Sequence, residues 1–456
     1  MATDCITQLR FEGDRFPKAT VVAFDQECSS SDGGLILLQA LDAKLGLTDA
    51  LAAGLRDPRQ PAKVEHPLID LLRQRIFGLA AGYADCNDAA RLADDPMHKL
   101  ALGRDPLDGA PLGSQPTLSR FENAVTRPAL GRMLHVLADT VIANQRRRLG
   151  RRRVRRITID LDVTDDPTHG QQEFAFFSGH YACWHYLPLL ATLSFDDDPE
   201  QYLVGAILRP GNSGADGTLG WLRRLVSKLR RAFPRARLRV RLDGGFAGHP
   251  LLDFLETSGL EYVVAIARNA RLERLAAQWL DRARRLAMTT GGAVQLFGET
   301  RYAAKTWSRH RRVIIKAEVL PYPDRETRDN PRFVVTNLTT SPAHVYHVYR
   351  QRGDVENRIK ELKYGLAIDR TSCSRFRANA FRVILTVAAY VLLQALRRRA
   401  RKMWGGTAQV WTLRERLLKI GAWVERSVRR VVVHLPMSFP WLPTWRWLAC
   451  SVGATP

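Results

Sequence analysis

The sequence lacks the features that mark a secreted or membrane-spanning protein. Its six cysteines include no C-x-x-C pair, and 456 residues are enough to bury a core without disulfides. The stretch "MATDCITQLRFEGDRF" is polar and mixed in charge, unlike a secretory signal. The longest apolar run, residues 383–396, is shorter than the roughly 20 residues of a spanning helix. We therefore expect a cytoplasmic protein with no membrane partner, and a buried core helix over the apolar run.

Acidic residues are scarce relative to basic ones. The chain has 69 Lys and Arg against 46 Asp and Glu, which gives a formal net charge of +23. Such an excess predicts a polyanionic partner, and nucleic acid is the commonest one. Charge alone leaves ribosomal and membrane-surface binding open. It also leaves the basic run 146–156 open between a solvated linker and a DNA-backbone contact.

The pattern of apolar and polar residues changes four times along the chain, and these changes predict five segments. Helical periodicity comes first, and then strands alternate with helices, which predicts an α/β fold with a mixed sheet covered by helices. Hairpin-like strands with no strong helix follow, before a helical stretch and a basic, tryptophan-rich end. The predicted segments are a helical N-terminal domain (1–150), the first part of an α/β core (151–268), a β-rich insertion (269–338), the second part of the core (339–400) and a C-terminal tail (401–456).

The stretch "YRQRGDVENRIKELKYG" carries four polar residues at helical spacing. On a regular helix, Tyr349, Arg352, Glu356 and Lys363 lie within an arc of about 60°. The apolar positions of the same stretch plot directly beside this arc. A stripe at the margin of the buried face suits a cleft better than a stripe opposite the core. Spacing alone leaves open whether the stripe is a site or a solvated face.

Three carboxylate positions accompany this helix. In "RRITIDLDVTDD", Asp160 and Asp162 share the polar face of an alternating strand, and Asp243 ends a later strand in "ARLRVRLDGGF". Taken singly, an Asp at a strand end is commonly a turn former, and the helical Glu356 is commonly solvated. Together, a few converging carboxylates are what a two-metal phosphodiester site requires.

This arrangement resembles the catalytic core of DDE transposases from bacterial insertion sequences. The order is strand Asp, later strand Asp, insertion and helical Glu, and the helix matches the Y-R-E-K signature of one broad group of these enzymes. The stretches "SQPTLSRFEN", "LDVTDDPTHGQQ", "LRPGN", "RLDGGF" and "YVVAIARN" are similar to the subgroup known as group 1. The resemblance covers roughly residues 30 to 400, and it implies a ribonuclease-H-like core.

The resemblance also implies roles for individual residues. Asp162, Asp243 and Glu356 would be the catalytic, metal-binding triad. Asp162 is favoured over the additional acid Asp160 because it stands in a D-x-T setting, although both acids face the same way. Tyr349, Arg352 and Lys363 would contact the DNA phosphates near the cut. The glycine after Asp243 departs from the more usual D-S-G-F of the family.

The implied reaction is hydrolysis at the transposon ends, followed by joining of the freed 3′-hydroxyl to target DNA. The implied cofactors are two Mg²⁺ ions, replaceable by Mn²⁺. The implied partners are double-stranded DNA, at both the transposon ends and the target, and a second copy of the chain in a homodimer. The implied setting is the bacterial cytoplasm, at the nucleoid.

Two further stretches have open interpretations. Trp307 stands beside several basic residues in "KTWSRHRR", where it could stack on an unpaired base or simply pack. A zinc site is a possible interpretation of His169, His180, Cys183 and His185. Their stretch fits paired strands better, and alternating side chains on strands point apart.

Two other functions compete with transposition. A ribonuclease-H-like nuclease that cuts DNA without joining it would share the triad. A DNA-binding descendant that has lost catalysis would usually have lost an acid, whereas all three acids are present here. The N-terminal helices are expected to recognise the terminal inverted repeats, with Ser114 capping a helix that could read DNA or belong to the core.

Overall fold

The structure is a computed structural model that describes residues 8–12, 18–215, 217–322 and 325–455. The described cysteines are free, and Cys5, with the start of the polar N-terminal stretch, lies outside these ranges. The helices are α1 (Leu35–Leu45), α2 (Leu47–Ala53), α3 (Leu68–Ala81), α4 (Cys86–Arg91), α5 (Pro96–Ala101), α6 (Gln115–Asn123), α7 (Arg127–Leu149), α8 (Thr218–Ala232), α9 (His249–Thr257), α10 (Ala270–Thr290), α11 (Pro342–Arg350), α12 (Asp354–Lys360), α13 (Phe376–Trp404), α14 (Val410–Leu413) and α15 (Leu442–Val452). The strands are β1 (Leu9–Phe11), β2 (Thr20–Val22), β3 (Ser29–Ser30), β4 (Arg156–Val163), β5 (Asp166–Pro167), β6 (Phe176–Ser178), β7 (Cys183–Tyr186), β8 (Leu189–Phe195), β9 (Tyr202–Ile207), β10 (Arg237–Leu242), β11 (Glu261–Ile266), β12 (Val294–Tyr302), β13 (Arg311–Tyr322), β14 (Arg325–Asp329), β15 (Arg332–Thr336), β16 (Ala422–Arg426) and β17 (Val431–His434).

A large mixed sheet forms the centre of the molecule. Its strand order is β12-β13-β15-β11-β10-β4-β8-β9. Strands β4, β10 and β11 are parallel to one another, while β8 and β9 continue the sheet from β4 as antiparallel neighbours. The parallel connections pass through α8 and α9, as parallel pairing requires a crossover. The arrangement β9-β8-β4-β10-β11 confirms the predicted ribonuclease-H-like α/β fold.

The segment 269–338 departs from the sequence-based prediction. It begins with a 21-residue helix, α10, where the pattern indicated no strong helix. The apolar positions of α10 recur at helical spacing, so the sequence carried a signal for this helix that the prediction overlooked; they are Leu272, Leu275, Ala276, Trp279, Leu280, Ala283 and Ala287. The Asn269 side chain caps the helix by accepting hydrogen bonds from two backbone amides.

The strands of this segment also extend the central sheet. Strand β15 pairs with β11, β13 pairs with β15, and β12 pairs with β13, all antiparallel. The strands were predicted correctly as hairpin-like, but pairing partners far apart in sequence cannot be read from alternation. The segment is therefore continuous with the sheet that carries the predicted aspartates.

Helix α13 connects the remaining parts of the molecule. It contacts α1, α3, α6, α7 and α15, and it also packs on β9. Within the described residues it is the one helix long and apolar enough to cross a membrane, but 89% of its most apolar window is buried inside the protein. This confirms the prediction of a core helix over 383–396. The N-terminal helices were predicted correctly, and they share this core with the sheet.

The C-terminal segment packs against the N-terminal part of the chain. Strand β16 pairs with both β17 and β3, and α15 lies on α1 and α13. The Arg416 guanidinium lies 4.1 Å from the centre of the Trp441 ring, which itself packs against Trp404. Trp404 and Trp441 thus pack within this segment, whereas Trp411 and Trp423 are exposed.

Candidate active site

The parallel strands β4 and β10 bring Asp162 and Asp243 to one edge of the sheet. The two strands pair in register, and Asp162 lies at the end of β4 while Asp243 follows β10 directly. Each carboxylate accepts a backbone hydrogen bond locally, Asp162 from Val163 at 3.0 Å and Asp243 from Gly244 at 2.7 Å. The sequence-based prediction that these two acids lie close together therefore agrees with the topology.

Asp162 is subject to opposing electrostatic effects from its surroundings. Its side chain is buried, and burial together with the negative charge of Asp243 raises the pKa of Asp162 to about 6. The Arg352 guanidinium opposes this shift by donating a hydrogen bond of 2.7 Å to the Asp162 carboxylate. One arginine thus faces two neighbouring carboxylates, and the negative charge at this edge exceeds the positive charge in contact with it.

Asp160, the additional acid, has a different environment. It is fully buried, and Arg241 binds both of its carboxylate oxygens at 2.6 and 2.7 Å. The Gln201 amide donates a third hydrogen bond of 3.1 Å. Such a bidentate, saturated pair is typical of a structural ion pair. Asp160 and Asp162 do face the same way, but Asp162 is the one that lies beside Asp243.

Arg241 also fixes the helix that carries the predicted phosphate contacts. Its guanidinium donates a 3.0 Å hydrogen bond to the carbonyl of Val348, near the end of α11, and a 3.3 Å bond to the Gln351 side chain. The next residues, Tyr349 and Arg352, are thereby held against the sheet edge. The Arg352 guanidinium lies 5.8 Å from the Tyr349 ring centre, in a cation–π contact.

Tyr349 interacts electrostatically with the same carboxylates. Burial and the charge of Asp243 raise the pKa of the Tyr349 phenol, and Arg352 counteracts them. Lys363, the last member of the predicted stripe, donates a 2.7 Å hydrogen bond to Asp165, three residues beyond Asp162. Tyr349, Arg352 and Lys363 therefore all lie close to the carboxylates at the end of β4.

Glu356 is the member of the stripe that the structure does not bring to the aspartates. Its side chain is exposed on α12. Within the described residues, no group of three or more His, Cys, Asp or Glu side chains is placed to hold a metal ion. The triad implied by the resemblance is therefore not assembled in this conformation.

The helix is irregular, and this explains why the 60° arc predicted for the four side chains was inaccurate. The regular turn assumed from sequence is replaced by a 3₁₀ turn at Gln351–Gly353 and a π-helical turn at Glu361–Gly365. The 3₁₀ turn, with about 3.0 residues per turn, lies between Tyr349 and Glu356 and rotates Glu356 relative to a uniform helix. The π-helical turn lies beyond Glu356, so it changes only the direction of Lys363. Tyr349 and Arg352 remain adjacent across the 3₁₀ turn, whereas the arc of four residues is lost.

Trp307 does not present a free ring. Its indole nitrogen donates a 3.2 Å hydrogen bond to the carbonyl of Ala247, and Tyr302 packs edge-on against it. The Arg311 guanidinium lies 5.2 Å from the ring centre and is itself paired with Glu256. The structure gives Trp307 a packing role, and the base-stacking prediction gains no support from it.

One buried acid next to the site is absent from the residues predicted from the sequence. Asp166 is fully buried, and burial raises its pKa to about 7, while Thr371 lies within hydrogen-bonding distance of both carboxylate oxygens at 2.9 and 3.0 Å. The doubled acid in "DVTDDPTH" was a signal for it. Asp165 and Asp166 extend the acidic edge beyond Asp162.

A ribonuclease-H-like sheet with paired aspartates at the ends of adjacent parallel strands, and cationic side chains from a later helix, defines the class of DDE nucleic-acid enzymes. The chain belongs to the family described as transposase DDE domain group 1, whose model matches residues 14–451. The chain is a DDE transposase, as the sequence motifs predicted.

In addition to the family match, the chain is similar to solved structures. Among solved structures, the chain is similar to the piggyBac transposase in a synaptic complex with hairpin DNA, studied by cryo-EM. The identity is 10%, the TM-score is 0.42, and the match covers 84% of this chain and 79% of that one. No curated protein matches the chain in sequence.

Proposed function

We propose that the chain moves an insertion sequence by binding its terminal inverted repeats, cutting the DNA there and joining the 3′-hydroxyl ends to target DNA. The observation that carries this proposal is the placement of Asp162 beside Asp243 with Arg352 bonded to Asp162. We further propose that it acts as a homodimer on the nucleoid of a bacterial cytoplasm.

The donor chemistry of the two aspartates fits divalent cations. Mg²⁺ commonly takes one or two protein carboxylates and fills its remaining positions with water and phosphate. The excess negative charge around Asp162 would be relieved by such cations, and Mn²⁺ offers similar chemistry. Asp162 and Asp243 would hold them, and Glu356 would join only after α12 reorients. Bound cations would supply polarisation of the phosphate and activation of the attacking oxygen.

The cationic side chains would position the DNA backbone. Arg352 is preorganised by Tyr349 and by the Arg241 contacts at the end of α11, so its guanidinium reaches the sheet edge with little freedom. A guanidinium there can bind a phosphate in bidentate fashion and stabilise charge that develops during cleavage. Lys363 would act as a second, more mobile phosphate contact near Asp165.

The exposed position of Glu356 favours one rival function. A DNA-binding descendant without catalysis would have no need to bring this side chain to the aspartates. A ribonuclease-H-like nuclease without strand transfer would need the triad but would yield no joined product. Both rivals share the DNA partner with the transposase, so binding alone does not separate them.

The test is cleavage and joining of a duplex that carries the element's end, in Mg²⁺, by wild type and by Glu356→Gln. Asp354→Asn, which changes an exposed acid on the same helix, is the matched control. Joined product that disappears only in Glu356→Gln, with DNA binding retained, supports the transposase. Cutting without joining supports the nuclease. Activity that is equal in all three proteins would refute a role for Glu356.

A further inference from the structure

Aromatic side chains are exposed together on one small hairpin. The hairpin, residues 174–186, contains β6 and β7, which pair antiparallel as the sequence predicted. Phe174, Phe177 and Trp184 are each more than half exposed, at 57%, 60% and 56%, and Tyr181 is also exposed. Phe177 and Trp184 are direct cross-strand partners, with ring centres 6.3 Å apart. A cluster of exposed rings of this kind marks a binding surface. We call it the aromatic hairpin.

The aromatic hairpin lies at the same sheet edge as the predicted aspartates. Strand β5, which follows β4 closely, pairs with β7 through Asp166 and Tyr186. Tyr181 packs edge-on against His185, with ring centres 5.2 Å apart, and His185 pairs with Pro167 of β5. The aromatic hairpin therefore adjoins the segment that follows Asp162 in the chain.

Backbone contacts fix the conformation of the hairpin that exposes these rings. Phe174 and Ala182 adopt positive φ angles of 61° and 54°, which side-chain-bearing residues rarely do. A Cβ at Gly211 would come within 2.1 Å of the His185 carbonyl, so only glycine allows the backbone to pass this close beneath the hairpin. The Tyr186 hydroxyl donates a 2.8 Å hydrogen bond to the carbonyl of Glu173.

A second set of contacts fastens the hairpin to the start of α13. The Gln172 amide donates hydrogen bonds to the carbonyls of Thr371 and Cys373 at 2.6 and 3.1 Å. The Phe376 ring packs edge-on against Phe174, with centres 5.5 Å apart. A mobile loop could turn its rings inward, but this one is anchored on both sides. The rings are thus presented outward by a rigid support.

Two exposed cations lie beside the hairpin, at the start of α13. Arg375 and Arg377 are both exposed and flank Phe376. Arginines beside exposed aromatic rings are the combination that binds single-stranded nucleic acid, since the rings stack on bases and the arginines bind phosphates. A protein partner seated here would cover the acids that the proposed reaction needs open. The position and charge of the surface therefore favour DNA over a second polypeptide.

We propose that the aromatic hairpin binds an unpaired base of the DNA next to the cleavage site, by stacking it on the rings of Phe177 and Trp184. This inference rests on the proposed function, because it assumes that DNA is cut at the adjacent carboxylates. The hairpin would assist cleavage by stabilising a locally opened duplex, in which the phosphate can approach the acids.

The first test is a binding preference measured without metal ions. The probes are two fluorescein-labelled duplexes carrying the element's end, one fully paired and one with two mismatched base pairs next to the cut. Wild type should bind the mismatched duplex about tenfold more tightly, and Phe177→Ala/Trp184→Ala should bind the two equally. Trp423→Ala, which removes an exposed tryptophan from the separate sheet of β16, should keep the preference of the wild type.

A second test uses the unaltered protein. A duplex with 5-iododeoxyuridine at the base next to the cut is irradiated in complex with wild type, and the crosslinked peptide is identified by mass spectrometry. Crosslinks in residues 174–186 support the proposal. Crosslinks confined to other segments would overturn it, as would equal binding of both duplexes by wild type or a preference that survives in the double variant.

Cutting of the two duplexes separates a wrong role for the hairpin from a wrong function for the protein. In Mg²⁺, the double variant should cut the paired duplex at least tenfold more slowly than wild type and recover on the mismatched duplex. Normal cutting of the paired duplex by the double variant would refute the hairpin's role and leave the transposase intact. A wild type that prefers mismatched DNA but cuts neither duplex would refute the proposed function and leave the hairpin as a binding surface.

Discussion

The helical stretch 342–365 reaches two buried carboxylate regions that are compensated very differently. Near its middle, Arg352 contacts Asp162 and also opposes the charge of the neighbouring Asp243, so one arginine serves two carboxylates. At its end, Glu361 is surrounded by donors, with Arg397 binding both carboxylate oxygens at 2.8 and 2.9 Å. One region has an excess of negative charge, and the other is balanced.

The balanced region has the features of a structural network. The Tyr390 hydroxyl donates a 2.6 Å hydrogen bond to Glu361, and the backbone amide of Val410 donates another at 3.1 Å. Arg397 is almost fully buried and also binds the Tyr390 hydroxyl oxygen at 3.0 Å. The difference teaches that a buried charge with all its partners holds the fold. A buried charge with too few partners indicates where a ligand is needed.

Removing Asp162 should produce the largest change in function without loss of stability. We expect Asp162→Asn to lower the cleavage rate by about 10³-fold, since the site loses a negative oxygen for a cation. The free energy of unfolding should stay equal or rise, because a buried carboxylate beside Asp243 is neutralised. Cleavage assays and urea melts measure the two effects.

The control for this substitution is Asp197→Asn, which alters an exposed acid beyond β8. It should change neither the cleavage rate nor the stability. Asp162→Asn with near-normal cleavage would show that Asp162 holds no cation. A clearly destabilised Asp162→Asn would show that the edge is balanced like the Glu361 network, and the comparison between the two regions would fail.

Removing Arg397 should have the opposite signature. Arg397→Met leaves Glu361 buried without its main counter-charge, and we expect the free energy of unfolding to fall by about 3 kcal/mol. Urea denaturation measures this loss, with exposed Arg401→Met on the same helix as the control. The double variant Arg397→Met/Glu361→Gln should recover part of the stability. If the single variant were as stable as the control, the network would contribute little to the fold.

Much of the fold could be predicted from the sequence, because strand alternation and helical periodicity are local signals. Helix α10 was missed although its leucines and Trp279 recur at helical spacing, because the strands that follow it dominated the interpretation of the segment. The extension of the central sheet by β12, β13 and β15 was missed because strand partners are set by tertiary packing.

The site was predicted in part, for a similar reason. Asp162 and Asp243 end neighbouring parallel strands, so their approach follows from topology. Glu356 was placed with them by assuming a regular helix, but the 3₁₀ turn at Gln351–Gly353 changes the rotation of the chain before Glu356. The saturation of Asp160 by Arg241 depends on a pairing register that no spacing reveals.

Lys363 offers the smallest and most selective perturbation of the unbalanced edge. Its ammonium contacts Asp165 at 2.7 Å, so it adds positive charge where the acids dominate and where a DNA phosphate would approach. Lys363→Met should lower the slope of log affinity against log salt by about one and weaken binding uniformly across DNA sequences. Lys363→Arg keeps the charge and should keep the slope. Stability should fall only slightly, because the Lys363–Asp165 ion pair is partly open to solvent. A slope that is the same in wild type and Lys363→Met would mean that this lysine serves only its partner Asp165, and that the phosphate contacts at this edge come from Arg352.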